Sequence, residues 1–192
     1  DEQITSGSGR LDQLVARVFR ETHHAPVLEK WGVLWMWHAL VLLVASLLTW
    51  LLHMRGVSTL LIYTTVWVIG LGLWAAVFWK LRQRLGPVTF VERQIAPVWG
   101  SSMISIALLF PLEWWLELPA LSLAPLLGVI SGGVFIIKAG MFSGVFYLQA
   151  AALLICAAVM AVAEDYAMLI FGIVAALCFF IPGYQYETRR RR

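Results

Sequence analysis

The sequence predicts an all-α fold: a polytopic membrane helix bundle of about six transmembrane helices, with the N-terminus and the C-terminus in the cytoplasm. Of its 192 residues, 61% are hydrophobic and ten are Trp, which is more apolar surface than a soluble domain of this length can bury. Apolar stretches close to the roughly 20 residues that cross a bilayer follow one another along the chain. Basic residues gather at every second connection, the distribution that sets membrane topology.

The chain divides into three parts. Residues 1–30 are expected to form a cytoplasmic linker, residues 31–183 the six-helix transmembrane domain, and residues 184–192 a basic cytoplasmic tail. Within the linker, residues 11–19 carry apolar side chains at helical spacing and basic ones on the other face, which predicts an amphipathic helix. Such a helix is too short to span, so it lies in the membrane interface or packs on a neighbouring soluble domain. Because the chain begins with Asp1 and has no signal peptide, we expect an internal fragment of a longer protein.

Six spans are predicted, with a count of five as the alternative if the fifth or sixth is re-entrant. The first three are rich in Trp, Leu and Val, which is typical of a lipid-facing surface. The predicted boundaries are 31–53, 60–79, 98–117, 121–137, 144–162 and 166–182.

Orientation follows from the charges of the connections. With the N-terminus inside, thirteen of the fourteen Lys and Arg residues lie in the cytoplasm and only Arg55 lies outside, as the positive-inside rule requires. The chain is therefore predicted to be a multi-pass protein of the inner membrane, without an ectodomain. Its basic residues adjoin apolar spans, so membrane lipids rather than nucleic acid are the expected partners.

No motif for catalysis, metal binding or cofactor binding is present, and we predict no catalytic, metal or cofactor residue in this chain. A b-type haem site is also excluded for the histidines of the first span. His38 and His53 are fifteen residues apart on one helix, about 22 Å at 1.5 Å per residue, and cannot clamp one iron. His38 is instead expected to be a hydrogen-bonded interhelical or interfacial residue.

Ionisable residues at membrane depth are the default functional candidates, because their burial is costly. Four polar residues qualify as intramembrane or interfacial candidates: His38, Glu113, Glu117 and Lys138. Glu113 and Glu117 lie on one helical face near the outer end of the third span and could bind an external cation, but we expect them to reach head-group water. Lys138 is expected to extend to the inner interface.

Small residues at four-residue spacing mark the second half of the chain. Gly128 and Gly132 form such a pair in the fourth span, and Ala157 and Ala161 in the fifth. This spacing allows close approach of helix backbones, either inside the bundle or between two chains. A homodimer is therefore one expectation.

Several segments resemble a known family. They are residues 86–96 (GPVTFVERQIA) with Val98 and Trp99, Lys138-Ala139-Gly140, Phe146-Tyr147, and residues 179–183 (FFIPG). Together they resemble the C-terminal membrane region of bacterial serine/threonine protein kinases of the eukaryotic-like type. In that family a cytoplasmic kinase domain precedes a linker and about six spans.

The resemblance implies a membrane anchor and a sensing or dimerising domain for a kinase domain of the same parent chain. The kinase motifs themselves are not found in this sequence, so ATP and Mg would enter only through that kinase domain. We expect Glu92 and Arg93 to fix the geometry of the inner loop without performing chemistry. The alternatives are a small transporter or channel subunit, which needs a polar path through the bundle, and a lipid-modifying enzyme that would use His23, His24, Glu92 and Arg93.

Overall fold

The computed structural model describes residues 31–84 and 89–190, and this part of the chain is almost entirely helical. Its α-helices are α1 (Gly32–Met54), α2 (Leu60–Gln83), α3 (Phe90–Trp115), α4 (Pro125–Met141), α5 (Val145–Val162) and α6 (Ala167–Arg190). A short 3₁₀ turn, Glu164–Tyr166, separates α5 from α6. The all-helical membrane-bundle fold predicted from the sequence is confirmed.

The helix lengths agree with a multi-pass membrane protein. Five helices are long and apolar enough to cross a bilayer, namely α1, α2, α3, α5 and α6, whereas α4 has only 17 residues. Each predicted span corresponds to one helix. The count of long spans is therefore five, as in the alternative, but the short helix is α4, whereas α5 and α6 are both continuous.

Two helix boundaries differ from the predicted ones. Helix α3 begins at Phe90 rather than near residue 98, because Thr89 and Glu92 form a capping box that starts the helix earlier. Helix α6 continues through Pro182 to Arg190, so the predicted tail is helical over most of its length. The predicted amphipathic helix at 11–19, with His23 and His24, lies outside the described residues.

Helices α1 and α6 form the most extensive pair in the bundle. Gly32 at the start of α1 faces Gly183 near the end of α6, and a β-carbon on Gly183 would lie 2.8 Å from the carbonyl oxygen of Gly32. In mid-bundle, a β-carbon on Gly172 would lie 2.6 Å from that of Ser46. Because the start of α1 meets the end of α6, the two helices are antiparallel. Their backbones are in contact, an approach that only glycine permits.

The remaining helices surround that pair unequally. Helix α4 packs closely on α5, and α5 packs on α6, whereas α2 and α3 bury the smallest share of their apolar windows. The lipid-facing character expected of the first three spans is therefore wrong for α1, half of which is buried. Its hydroxyl side chains face inward, and Thr49 accepts a hydrogen bond of 3.0 Å from the indole N–H of Trp67 in α2.

Candidate functional site at the basic end of the bundle

Polar and charged side chains converge where α1 begins, α2 ends and α3 begins. We call this the basic end of the bundle, because its described residues include Lys80, Arg82, Arg84, Arg93 and Lys138. Two features occupy it. One is a hydrogen-bonded cluster around the carboxylate of Glu92, and the other is a cavity into which Lys138 projects.

The carboxylate of Glu92 joins three helices. Its Oε1 accepts hydrogen bonds from Trp31 Nε1 at 2.9 Å and from Arg82 Nε at 2.7 Å. Its Oε2 accepts from the Thr89 backbone N–H at 2.6 Å, from Thr89 Oγ1 at 3.0 Å, and from Arg82 Nη2. A carboxylate offers about four lone-pair sites, so these five donors saturate it. Glu92 therefore holds the helix ends together and has no acceptor capacity left for a substrate.

The sequence contains a capping-box pattern that marks this cluster. Thr89, two intervening residues and Glu92 match the capping-box pattern, in which a glutamate three residues after a threonine marks a helix start. The expectation that Glu92 and Arg93 sit in a loop is wrong, because both belong to the first turns of α3. Arg93 is exposed, and the partner of Glu92 is Arg82, ten residues earlier on α2, which the sequence analysis did not single out.

Lys138 lies inside the bundle, contrary to the expectation that it extends to the interface. It is 4% exposed, and its Nζ lies 4.4 Å from the ring centroids of Trp35 and Phe135 and 4.6 Å from that of Phe179. Each such cation–π contact is worth about 0.5–2 kcal/mol. The described part of the chain supplies Nζ with neither a hydrogen-bond acceptor nor a carboxylate, so the ammonium keeps three donors unused.

A cavity of about 570 Å³ lies between Lys138 and the Glu92 cluster. Six of its fifteen lining residues are aromatic, and its ionisable lining residues are Arg82, Glu92, Arg93 and Lys138. Along α3 the wall runs from Glu92 to Met103, about 16 Å at 1.5 Å per residue. The cavity is therefore elongated, charged at the basic end and apolar toward mid-bundle.

His38 is buried close to this cavity but does not line it. Its ring centroid lies 4.5 Å from that of Phe179 and 4.9 Å from that of Trp99, and its Nδ1 is buried without a hydrogen-bond partner in the structure. The expected interhelical hydrogen bond at this nitrogen is thus not observed. A separate space of about 30 Å³ beside His38 has room for about one water molecule, and it is too small to serve as a substrate path.

Glu113 and Glu117 behave differently at the opposite end of the bundle. Glu113 is 1% exposed, and its carboxylate accepts hydrogen bonds from the backbone N–H groups of Leu123 at 2.7 Å and Leu121 at 3.1 Å. The expectation that it reaches head-group water is wrong, because it satisfies the backbone of the turn that precedes α4. Glu117 is exposed, as expected.

The small residues of α4 are used within the chain. A β-carbon on Gly128 would lie 2.8 Å from the carbonyl oxygen of Leu153 and 2.9 Å from the β-carbon of Ala157. Gly132 faces Leu154 of the same helix, α5, in the same way. Ala161 is exposed. The Gly128–Gly132 face is therefore occupied by α5, and a homodimer would need a different surface.

No group of three or more His, Cys, Asp or Glu side chains with metal-binding geometry occurs among residues 31–84 and 89–190. Cys156 and Cys178 are both buried free thiols. No protein-family model, no curated protein and no solved structure matches this chain.

Proposed function

We propose that this chain is the membrane anchor and regulatory domain of a cytoplasmic serine/threonine protein kinase, embedded in a bacterial inner membrane with its basic end in the cytoplasm. The resemblance in the sequence motivates the kinase, and the charge distribution supports a cytoplasmic basic end, the side of the membrane on which ATP is available. The domain itself acts by position and coupling, and ATP and Mg belong to the kinase domain.

The observation that carries this proposal is the hydrogen bond between Trp31 and Glu92. Trp31 is the N-cap residue of α1, so it is the point at which any preceding segment enters the membrane bundle. Through Glu92 it is bound to the end of α2 and the start of α3. A change in the packing of these helices therefore reaches the entering segment directly, which is the mechanical requirement for regulating an attached domain.

The test removes the hydrogen bond between Trp31 and Glu92. Trp31→Phe removes the indole N–H and keeps an aromatic ring, and Trp37→Phe is the matched control on an exposed position of the same helix. In the protein expressed with the reading frame that precedes residue 1, we expect Trp31→Phe to change autophosphorylation in membranes several-fold and Trp37→Phe to leave it unchanged. A preceding frame without a kinase domain would refute the kinase assignment, and equal activities of both variants would reduce the domain to a passive anchor.

Orientation is tested separately from the kinase. A cysteine replacing Ser58, in the turn between α1 and α2, is expected to react with a membrane-impermeant maleimide in intact cells. Labelling only after permeabilisation would reverse the proposed topology while leaving the Trp31 coupling untouched.

A further inference from the structure

We propose that the cavity at the basic end binds a membrane phospholipid with an anionic phosphate head group, whose phosphate contacts Lys138 and Arg93 and whose acyl chain follows α3 toward mid-bundle. This proposal does not depend on the kinase assignment.

The charge of the cavity calls for an anion. Arg82 and Glu92 neutralise each other, whereas Arg93 and Lys138 both line the cavity and have no carboxylate partner among the described residues. Lys138 therefore remains an uncompensated positive charge in a largely apolar space, and the exposed Arg93 adds a second positive charge at the charged end. A buried ammonium that keeps unused donors is costly, and a phosphate oxygen is the acceptor that lysine and arginine both bind strongly.

The shape of the cavity calls for an amphiphile rather than a free ion. Its wall extends about 16 Å along α3, roughly half of a hydrocarbon core of about 30 Å. Beyond the charged end the lining consists of aromatic and aliphatic groups such as Phe78, Trp99 and Met103. An inorganic phosphate would leave this apolar part empty, whereas an acyl chain fills it.

The cavity also reaches the surface of the bundle that a lipid would approach. Trp79 and Ala96 line it from α2 and α3 and are both exposed, and Gly100 lines it half-buried. A β-carbon on Gly100 would meet no atom within 4 Å. The cavity is therefore accessible to a lipid from the exposed side of α2 and α3.

The experiment measures lipid retention by native mass spectrometry of the purified chain, with phosphatidylglycerol and phosphatidylcholine of the same acyl chains as probes. We expect the wild-type chain to retain phosphatidylglycerol in preference to phosphatidylcholine. Lys138→Met removes the buried charge, and Gly100→Phe fills the open space with a ring. Lys138→Met is expected to lower phosphatidylglycerol retention about tenfold, as for a lost charged hydrogen bond. Gly100→Phe is expected to lower it by about the same factor, because the ring occupies the path of the acyl chain.

Two control variants match these changes outside the cavity. Lys80→Met removes an exposed cation from the basic end, and Gly70→Phe adds a ring at another glycine with open space around it. Both are expected to keep retention within about twofold, the scale of a surface change. If Lys138→Met fails to fold, Gly100→Phe still tests the site, because it leaves every charge in place.

Three results would overturn the proposal. Equal retention of the two lipids would remove the role of the phosphate charge. A loss in Lys80→Met as large as in Lys138→Met would show attraction to the whole basic end rather than a site. Displacement of phosphatidylglycerol by millimolar inorganic phosphate would identify a free anion as the occupant.

Discussion

Replacing Glu92 by Gln should destabilise the bundle severely, although the two side chains have the same size. The change removes the negative charge that compensates Arg82, and the side chains of this pair are only 5% and 6% exposed. It also places an NH₂ group where one carboxylate oxygen now accepts hydrogen bonds. Trp31 or Thr89 then faces a donor instead of an acceptor.

The expected magnitude follows from the burial of the pair. Removing one partner of a buried ion pair costs about 3–5 kcal/mol, because the remaining charge stays desolvated. Arg82→Met should cost a similar amount for the same reason. In the double variant Arg82→Met/Glu92→Met neither member of the pair is left as an unpaired buried charge, so we expect its cost to fall short of the sum of the single costs by at least about 2 kcal/mol.

The free energy of unfolding can be measured by titrating the purified chain with SDS in mixed micelles and following tryptophan fluorescence. Arg93→Gln is the matched control, since Arg93 is the next residue on α3 but is exposed, and its effect should stay within about 0.5 kcal/mol. Equal effects of Glu92→Gln and Arg93→Gln, or additive costs in the double variant, would refute the assignment of Glu92 as the structural centre of the basic end.

Two further predictions concern other parts of the bundle. Glu113→Ala should lower the free energy of unfolding by about 2–4 kcal/mol, because it leaves two backbone N–H groups buried without an acceptor. Glu117→Ala, at the exposed position, should change the free energy of unfolding little. Comparable effects of the two variants would contradict the capping role of Glu113. Gly183→Ala should destabilise the bundle, since the added β-carbon would clash with the backbone of α1. Gly133→Ala has open space around it and should raise the stability of the bundle by up to about 1 kcal/mol, because alanine has the higher helix propensity. A thermal shift in detergent of the same sign for both glycines would rule out backbone contact between α1 and α6.

The sequence predicted the helices better than it predicted their ends and partners. Hydropathy and length are local properties, so every apolar stretch became one helix. The start of α3 depended on a side-chain hydrogen bond between Thr89 and Glu92, a pattern that the sequence carries in four residues. The buried state of Lys138 and Glu113 was not predictable in this way. Their partners come from distant segments: Trp35 and Phe179 for Lys138, and the turn after α3 for Glu113.

The small residues also show what a sequence pattern predicts and what it does not. Their four-residue spacing correctly indicated close helix packing, but it could not say which helix would approach. Gly128 and Gly132 receive α5, while the backbone contact between α1 and α6 uses Gly32 and Gly183, which no repeated spacing marks. Pairing of helices depends on the order in which they surround the bundle axis, and a single sequence does not record that order.

The Glu92 cluster and the Lys138 cavity share the side chains of Trp31, Arg82 and Glu92 as a common wall. A molecule in the cavity therefore contacts the residues that fix the start of α1. Coupling between two sites requires that occupancy of one change the free energy of the other, typically by about 1–3 kcal/mol. Coupling between the cavity and the start of α1 does not require Glu92 to gain or lose a proton. A phosphate held by Lys138 and Arg93 would lie beside Trp31 and Glu92 and so change the packing at the start of α1. The proposed lipid site and the proposed regulation of an attached kinase thus share the side chains of Trp31, Arg82 and Glu92.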